Sequence, residues 1–138
     1  MIKNIVVVGS GKGGVGKSTV SINLSVAISK LKKCSVGLLD ADIYGPSIPK
    51  MLGIKEKPKL SSNKKIIPYE KFGIKSMSIG NMIPSDNAII WRGAMASSAI
   101  KQLFNDVDWG ELDYLIVDLP PGTGDIQLSL CQNFSIDG

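Results

Sequence analysis

Gly9-Ser10-Gly11-Lys12-Gly13-Gly14-Val15-Gly16-Lys17-Ser18-Thr19 is the stretch on which the reading of this chain turns. It follows the apolar run Ile5-Val6-Val7-Val8 and precedes a segment with helical periodicity from Ser18 to Lys32. Gly11 to Ser18 matches the spacing G-x-x-x-x-G-K-[ST] of a loop that wraps phosphate. Phosphate oxygens are met there by backbone N–H groups at close range. A side chain at Gly11, Gly13, Gly14 or Gly16 would obstruct that approach or the dihedrals it requires. The loop opens a helix whose N-terminal partial positive charge faces the anion. Lys17 supplies a full charge near the β- and γ-phosphates, and the Ser18 hydroxyl can hold Mg²⁺.

Two other readings compete. A chain with 15 Gly and many Lys can produce such a pattern by composition, but composition does not also supply a strand before it and a helix after it. Gly9-x-Gly11-x-x-Gly14 fits a dinucleotide-binding turn, with Asp40 as the ribose-binding acid. That alternative leaves Gly16-Lys17-Ser18 unexplained, so the phosphate loop is preferred.

Outward from this stretch, Ile2 to Val8 reads as a strand buried on both faces, because its apolar residues run on rather than alternate. The helix from Ser18 carries Val20, Leu24, Ala27, Ile28 and Leu31 at spacings of three and four, which predicts one buried stripe. Ser35 to Leu39 is a second apolar strand, and strand, helix and strand form a βαβ unit with a parallel sheet. From Ile43 to Tyr69 periodicity fades and Pro46, Pro49, Pro58 and Pro68 break helices, which predicts a functional loop with a short turn at 48–52. A Lys-rich mobile insertion is expected at 54–70. Further on, Phe72 to Ile79 reads as a strand and Gly93 to Phe104 as a helix burying Ala94, Ala99, Ile100 and Leu103. Asp113 to Val117 reads as another buried strand, and Asp125 caps a last helix through Gln132.

With 138 residues and 43% hydrophobic content the chain suits one globular domain, and no aliphatic run is long enough to span a bilayer. The N-terminus enters a strand at once, which argues against a secretory leader. Cys34 and Cys131 form no C-x-x-C pair, so reduced, intracellular thiols are the default. The net charge of +4 comes largely from Lys50, Lys55, Lys57, Lys59, Lys64, Lys65, Lys71 and Lys75, opposed locally by Glu56 and Glu70. Such a run can attract nucleic acid or an anionic surface. We read it as a solvated loop and expect neither a nucleic-acid nor a membrane partner.

In a parallel sheet the loops at the carboxyl ends of the strands converge on one crevice. Three of them here carry acids or glycines: the phosphate loop, Asp40-Ala41-Asp42, and Asp118 to Asp125. An acid after an apolar strand is what a nucleotide-bound Mg²⁺ needs, so Asp118 is the Mg²⁺-associated acid. Gly122 and Gly124 let their loop follow the γ-phosphate, as switch loops do. Asp40 and Asp42 lie two apart, so one reaches the attacking water and the other lies nearer Mg²⁺; spacing does not decide which. The candidate nucleotide-binding residues are Gly11, Lys12, Gly13, Gly14, Val15, Gly16, Lys17, Ser18 and Thr19, with Gly122.

With Lys12 in its second position, Gly11-Lys12-Gly13-Gly14-Val15-Gly16-Lys17-Ser18 resembles the deviant phosphate loop of the MinD/ParA-like ATPases. Asp40-Ala41-Asp42-Ile43-Tyr44-Gly45-Pro46-Ser47-Ile48-Pro49, Met51-Leu52-Gly53, Trp91-Arg92-Gly93 and Asp118-Leu119-Pro120-Pro121-Gly122-Thr123-Gly124-Asp125 resemble, more narrowly, the Mrp/ApbC iron–sulfur cluster carrier ATPases. The resemblance covers nearly the whole chain. It implies an α/β, three-layer P-loop NTPase fold with a mostly parallel sheet, cut after about half of the usual domain. It further implies an ATP- and Mg²⁺-dependent homodimer that delivers [4Fe–4S] clusters to apo iron–sulfur proteins. The expected setting is the cytoplasm, with a mitochondrial or plastid matrix, after removal of a presequence, as the alternative. By the same resemblance Lys12 reaches the partner's phosphates as an arginine finger does, Asp42 orients the attacking water, and Asp40 lies near Mg²⁺ with Ser18 and Asp118. Lys12, Lys17 and Asp42 are therefore the catalytic candidates. Two departures stand out: Ala94 replaces the usual proline after Trp-Arg-Gly, and the family's C-x-x-C is absent from these residues. Thiolates are what such clusters require, so the cargo site is expected outside this chain. A partitioning ATPase of the MinD/ParA type and a non-catalytic nucleotide-binding fragment are the alternatives.

Overall fold

The described residues of the computed structural model are 2–9, 16–42, 48–53, 59–62, 64–79 and 93–119. In chain order they form β1 (Ile2–Val8), α1 (Lys17–Lys32), β2 (Val36–Asp40), α2 (Ile48–Met51), β3 (Lys59–Leu60), β4 (Ile66–Ile67), β5 (Tyr69–Lys71), β6 (Ile74–Ser78), α3 (Gly93–Asn105) and β7 (Leu112–Asp118). Trp91, Arg92, Cys131 and the expected helix after Asp125 lie outside them. Among the described residues no helix is long and apolar enough to cross a membrane.

The central sheet runs β1-β7-β2-β6-β5. β1, β7, β2 and β6 are mutually parallel, and β5 pairs antiparallel with β6 at one edge. Consecutive residues of a strand point to opposite faces, and here both faces are apolar. Leu38 and Ile116 join Val36, Ile48, Leu52 and Ile74 on the side where Ile22, Leu24 and Ile28 of α1 pack. Leu39 and Val117 join Met77, Leu115 and Trp109 on the side of Ile100, Leu103 and Phe104 of α3. Helices on both faces make three layers, which is why the strand sequences run apolar without alternation.

The expected strands are recovered with end shifts of one or two residues, and α3 extends one residue past Phe104. Ile100 and Leu103 are buried as expected, whereas the side chains of Ala94 and Ala99 lie outside the description. The stripe predicted for α1 is corrected: Val20 is 55% exposed and Leu31 85% exposed, while Ser21 and Ser25 are fully buried. Serine tolerates burial in a helix because its hydroxyl can return to the carbonyl four residues back. Ser25 Oγ donates to the Ser21 carbonyl at 2.7 Å in this way. Hydrophobicity alone therefore selected a stripe rotated away from the covered one.

The proline- and lysine-rich region holds short strands that its fading periodicity did not announce. β3 and β4 pair as a two-stranded antiparallel sheet. Ile66 N–H donates to the Asp106 carbonyl and the Asp108 N–H to the Ile66 carbonyl, both at 2.7 Å, tying β4 to the connection between α3 and β7. Phe72 does not enter the strand predicted from 72 to 79. It forms the β5–β6 turn with Gly73, at φ of 52° and 78°. Two consecutive positive φ values suit the twist of a tight hairpin.

Candidate functional site

Strand order determines which side chains meet. β7 inserts between β1 and β2, so residues far apart in sequence align: Val8 beside Asp118, Asp118 beside Asp40, and Asp40 beside Ser78. The ladder continues past the strand ends, with Leu119 N–H donating to the Val8 carbonyl and Ala41 N–H to the Asp118 carbonyl, both at 2.9 Å. Gly16, at φ of 86°, occupies the N-cap of α1 in a left-handed conformation natural to glycine. It turns the chain so that Lys17 and Ser18 enter the same edge.

Asp118 is fully buried and is the hub. Lys17 Nζ donates to its Oδ1 at 2.6 Å, Ser18 Oγ to its Oδ2 at 2.7 Å, and Ser21 Oγ lies 3.0 Å from Oδ1. The Lys17 side chain is 7% exposed, and Asp42 Oδ2 stands 3.8 Å from the ammonium. Lys17 is thus a cation held between two acids at the start of a helix, the end of a helix where open amides favour anions.

The aspartates left open by spacing have different surroundings. Asp42 borders Lys17. Asp40 is fully buried; its Oδ1 accepts the Asp42 N–H at 3.2 Å, and its Oδ2 accepts the Ile48 N–H at 3.2 Å and the Ser78 hydroxyl at 3.0 Å. Burial, and secondarily the charge of Asp118, push the Asp40 carboxyl up from 3.8 to about 7, against the hydrogen bonds that favour its charged form.

Among the expected site residues, Gly16, Lys17, Ser18, Asp40, Asp42 and Asp118 share this strand edge, and Thr19 is exposed on the first turn of α1. Gly11, Lys12, Gly13, Gly14, Val15 and Gly122 lie outside the described residues. Two contributors escaped the sequence reading. Ser21 could have been found from its place one turn after Lys17, but Ser78 carries no local signal, because it reaches Asp40 only through the register of β6 with β2.

Ser18 Oγ and the Asp118 carboxylate also suit a magnesium ion in chemistry. Both are hard oxygens, and a hydroxyl that gives its proton to Asp118 keeps its lone pairs for a cation that otherwise retains water.

A family model described as ParA, NUBPL iron-transfer P-loop NTPase, matches residues 1–138. The chain belongs to this family. Its sheet, with the strand before the phosphate loop beside the strand ending in Asp118, is thus a P-loop NTPase sheet. An iron-sulfur cluster carrier protein of Aquifex aeolicus is 54% identical over 139 residues, covering 99% of this chain and 38% of that protein. The iron-sulfur protein required for NADH dehydrogenase, mitochondrial, of Arabidopsis thaliana is 49% identical over 137 residues, covering 99% of this chain and 44% of that protein. This member of the NUBPL family therefore spans less than half the length of these curated relatives. Among solved structures, a nucleotide-binding protein of Archaeoglobus fulgidus in complex with ADP matches with a TM-score of 0.79 at 42% identity, over 95% of this chain and 50% of that one.

Proposed function

We propose that the protein binds and hydrolyses ATP with Mg²⁺ and, as a homodimer, carries [4Fe–4S] clusters to apo iron–sulfur proteins. The observation that carries the nucleotide part is the grip of Lys17 and Ser18, which close the phosphate-loop pattern in the chain, on the buried Asp118 carboxylate. Lys17 exchanges Asp118 for the β- and γ-phosphates, and Ser18 and Asp118 hold the cation directly or through its water. When bound, Mg²⁺ neutralises charge building on the phosphates. Asp42, beside Lys17, orients the attacking water. Asp40 fixes the backbone of Asp42 through the 3.2 Å hydrogen bond and remains near the cation shell. Lys12 of one subunit serves the phosphates of the other, while Gly11, Gly13, Gly14, Val15, Gly16 and Thr19 line the nucleotide and Gly122 follows the γ-phosphate.

Cluster transfer is supported by family membership and by the carrier relatives. The cluster is cargo, held by thiolates outside these residues. The proposed setting is the cytoplasm or an organellar matrix. The test measures, on the full-length gene product, Mg–ATP turnover with a Lys17→Ala control and, after anaerobic reconstitution, transfer of the cluster chromophore to an apo acceptor. Turnover abolished by Lys17→Ala and a transferable chromophore are the expected results. Turnover that survives the substitution sinks the catalytic assignment, and failure to take up iron sinks the carrier role.

A further inference from the structure

Ser21 is a fully buried hydroxyl at the site to which the proposed chemistry gives no role. Its Oγ lies 3.1 Å from the Lys17 carbonyl and 3.0 Å from Asp118 Oδ1. A serine has one hydroxyl proton, so at any moment it serves one of these acceptors. Lys17 Nζ already serves Oδ1 at 2.6 Å. While the ammonium is there, the serine proton is available to the helix carbonyl one turn back. When the ammonium leaves, Oδ1 loses its charged donor at a fully buried carboxylate, where an unmet acceptor is costly.

We propose that Ser21 is a positioning residue. As Lys17 departs for a phosphate, the Ser21 hydroxyl rotates from the Lys17 carbonyl onto Asp118 Oδ1. This keeps Asp118 held at Oδ1 while Ser18 continues to hold Oδ2. The carboxylate then stays aimed at the Ser18 hydroxyl throughout, instead of swinging when its strongest donor is withdrawn. The destination of Lys17 rests on the nucleotide reading above, but the hydroxyl exchange depends only on the ammonium leaving, and a substitution can impose that.

The decisive experiment is a nucleotide-free unfolding cycle in urea of four proteins: wild type, Ser21→Ala, Lys17→Met and the double variant. With Lys17 present, Ser21→Ala changes the unfolding equilibrium little. With Lys17→Met, it lowers stability by a further factor of about ten in that constant, the size of one hydrogen bond to a charged group. Equal losses in the two backgrounds overturn the proposal. Ser21→Thr keeps the hydroxyl and restores most of the loss in the Lys17→Met background; threonine behaving as alanine does overturns it too. If the double variant does not fold, Ser21→Cys, a weaker donor of similar size, replaces alanine in the cycle and must still lose more when Lys17 is absent.

A second readout is Mg–ATP affinity, which Ser21→Ala weakens by about tenfold and Ser21→Thr recovers. Unchanged affinity in Ser21→Ala counts against the exchange. A wild-type protein that binds no ATP would defeat the nucleotide reading while leaving the unfolding cycle to decide the role of Ser21.

Discussion

The contact between Lys17 and Asp118 makes an asymmetric prediction. Opposite charges about 4 Å apart attract by about 4 kcal/mol at an effective dielectric constant near 20, and removing one partner of a buried pair typically costs roughly 3–5 kcal/mol. The two ends of this pair have unequal support. Lys17→Met leaves the Asp118 carboxylate with hydroxyls from Ser18 and Ser21 at 2.7 and 3.0 Å. Asp118→Leu leaves an ammonium that is 7% exposed, with Asp42 3.8 Å away, and deprives the Ser18 hydroxyl of its acceptor, while Ser21 keeps the Lys17 carbonyl. Asp118→Leu should therefore cost about 4 kcal/mol and Lys17→Met about 2 kcal/mol, the hydroxyls making up the difference. The double variant should be less destabilised than the sum of the singles by about 2 kcal/mol, because neither charge of the Lys17–Asp118 pair is left without the other. Urea unfolding at neutral pH, followed by tryptophan fluorescence and far-ultraviolet circular dichroism, measures all three values. A costlier Lys17→Met than Asp118→Leu, or singles that add within about 0.5 kcal/mol, would refute the view of Asp118 as a hub supported by hydroxyls.

Three further outcomes follow from other parts of the fold. The Asp40 carboxyl titrates near 7 when folded and near 3.8 when unfolded, so the folded state holds the extra proton between these values and stability falls as pH rises through that window. Asp40→Asn should flatten this dependence, by up to roughly 4 kcal/mol between pH 4 and pH 7; an unchanged pH–stability profile would refute it. Gly37→Ala places a Cβ 2.6 Å from Leu112 Cδ1, 3.0 Å from Leu115 Cδ1 and 3.1 Å from Trp109 Cε3, all buried side chains that would have to shift. It should cost about 1–3 kcal/mol in the unfolding midpoint. Asp113 is held below the usual carboxylate range first by the Ser35 N–H and then by Lys3, so its contribution is present above the ordinary carboxylate pKa and fades as pH falls through the lowered one. Asp113→Asn should remove that part of the acid-side loss, read as a smaller shift in melting temperature between pH 5 and pH 3.

The elements that carry chemistry were legible from local pattern. Ile2–Val8 and Leu112–Asp118 announce themselves as strands by their apolar runs, which suit a sheet covered by helices, but the full burial expected for Ile2–Val8 is corrected: its residues are half-buried and Lys3 is exposed. The phosphate loop and its following helix were equally plain, since glycine spacing and the Lys-Ser pair answer to the shape of a phosphate. The stripe read for α1 holds at Leu24 and Ile28 but fails at Val20 and Leu31, because its covered face also takes in the serines Ser21 and Ser25, which hydrophobicity does not flag. β3, β4 and β5 were missed because strands of two or three residues are too short to show a period, and their pairing is supplied by distant partners such as Asp106 and β6.

By itself the sequence placed a phosphate-loop pattern between a strand and a helix, with acids at the ends of two further strands. Those are local facts, written in spacing and residue type. Only the tertiary structure decided which acid stands where, because that depends on strand order and register. β7, which comes last among the described strands, inserts between β1 and β2 and so delivers Asp118 to Lys17, 101 residues earlier. The same register sets Ser78 against Asp40 and leaves Asp42 beside the ammonium. Two aspartates indistinguishable in sequence thereby acquire different environments, since burial and hydrogen-bond donors, which set a carboxylate's behaviour, come from the neighbouring strands rather than from the residues next to it in the chain.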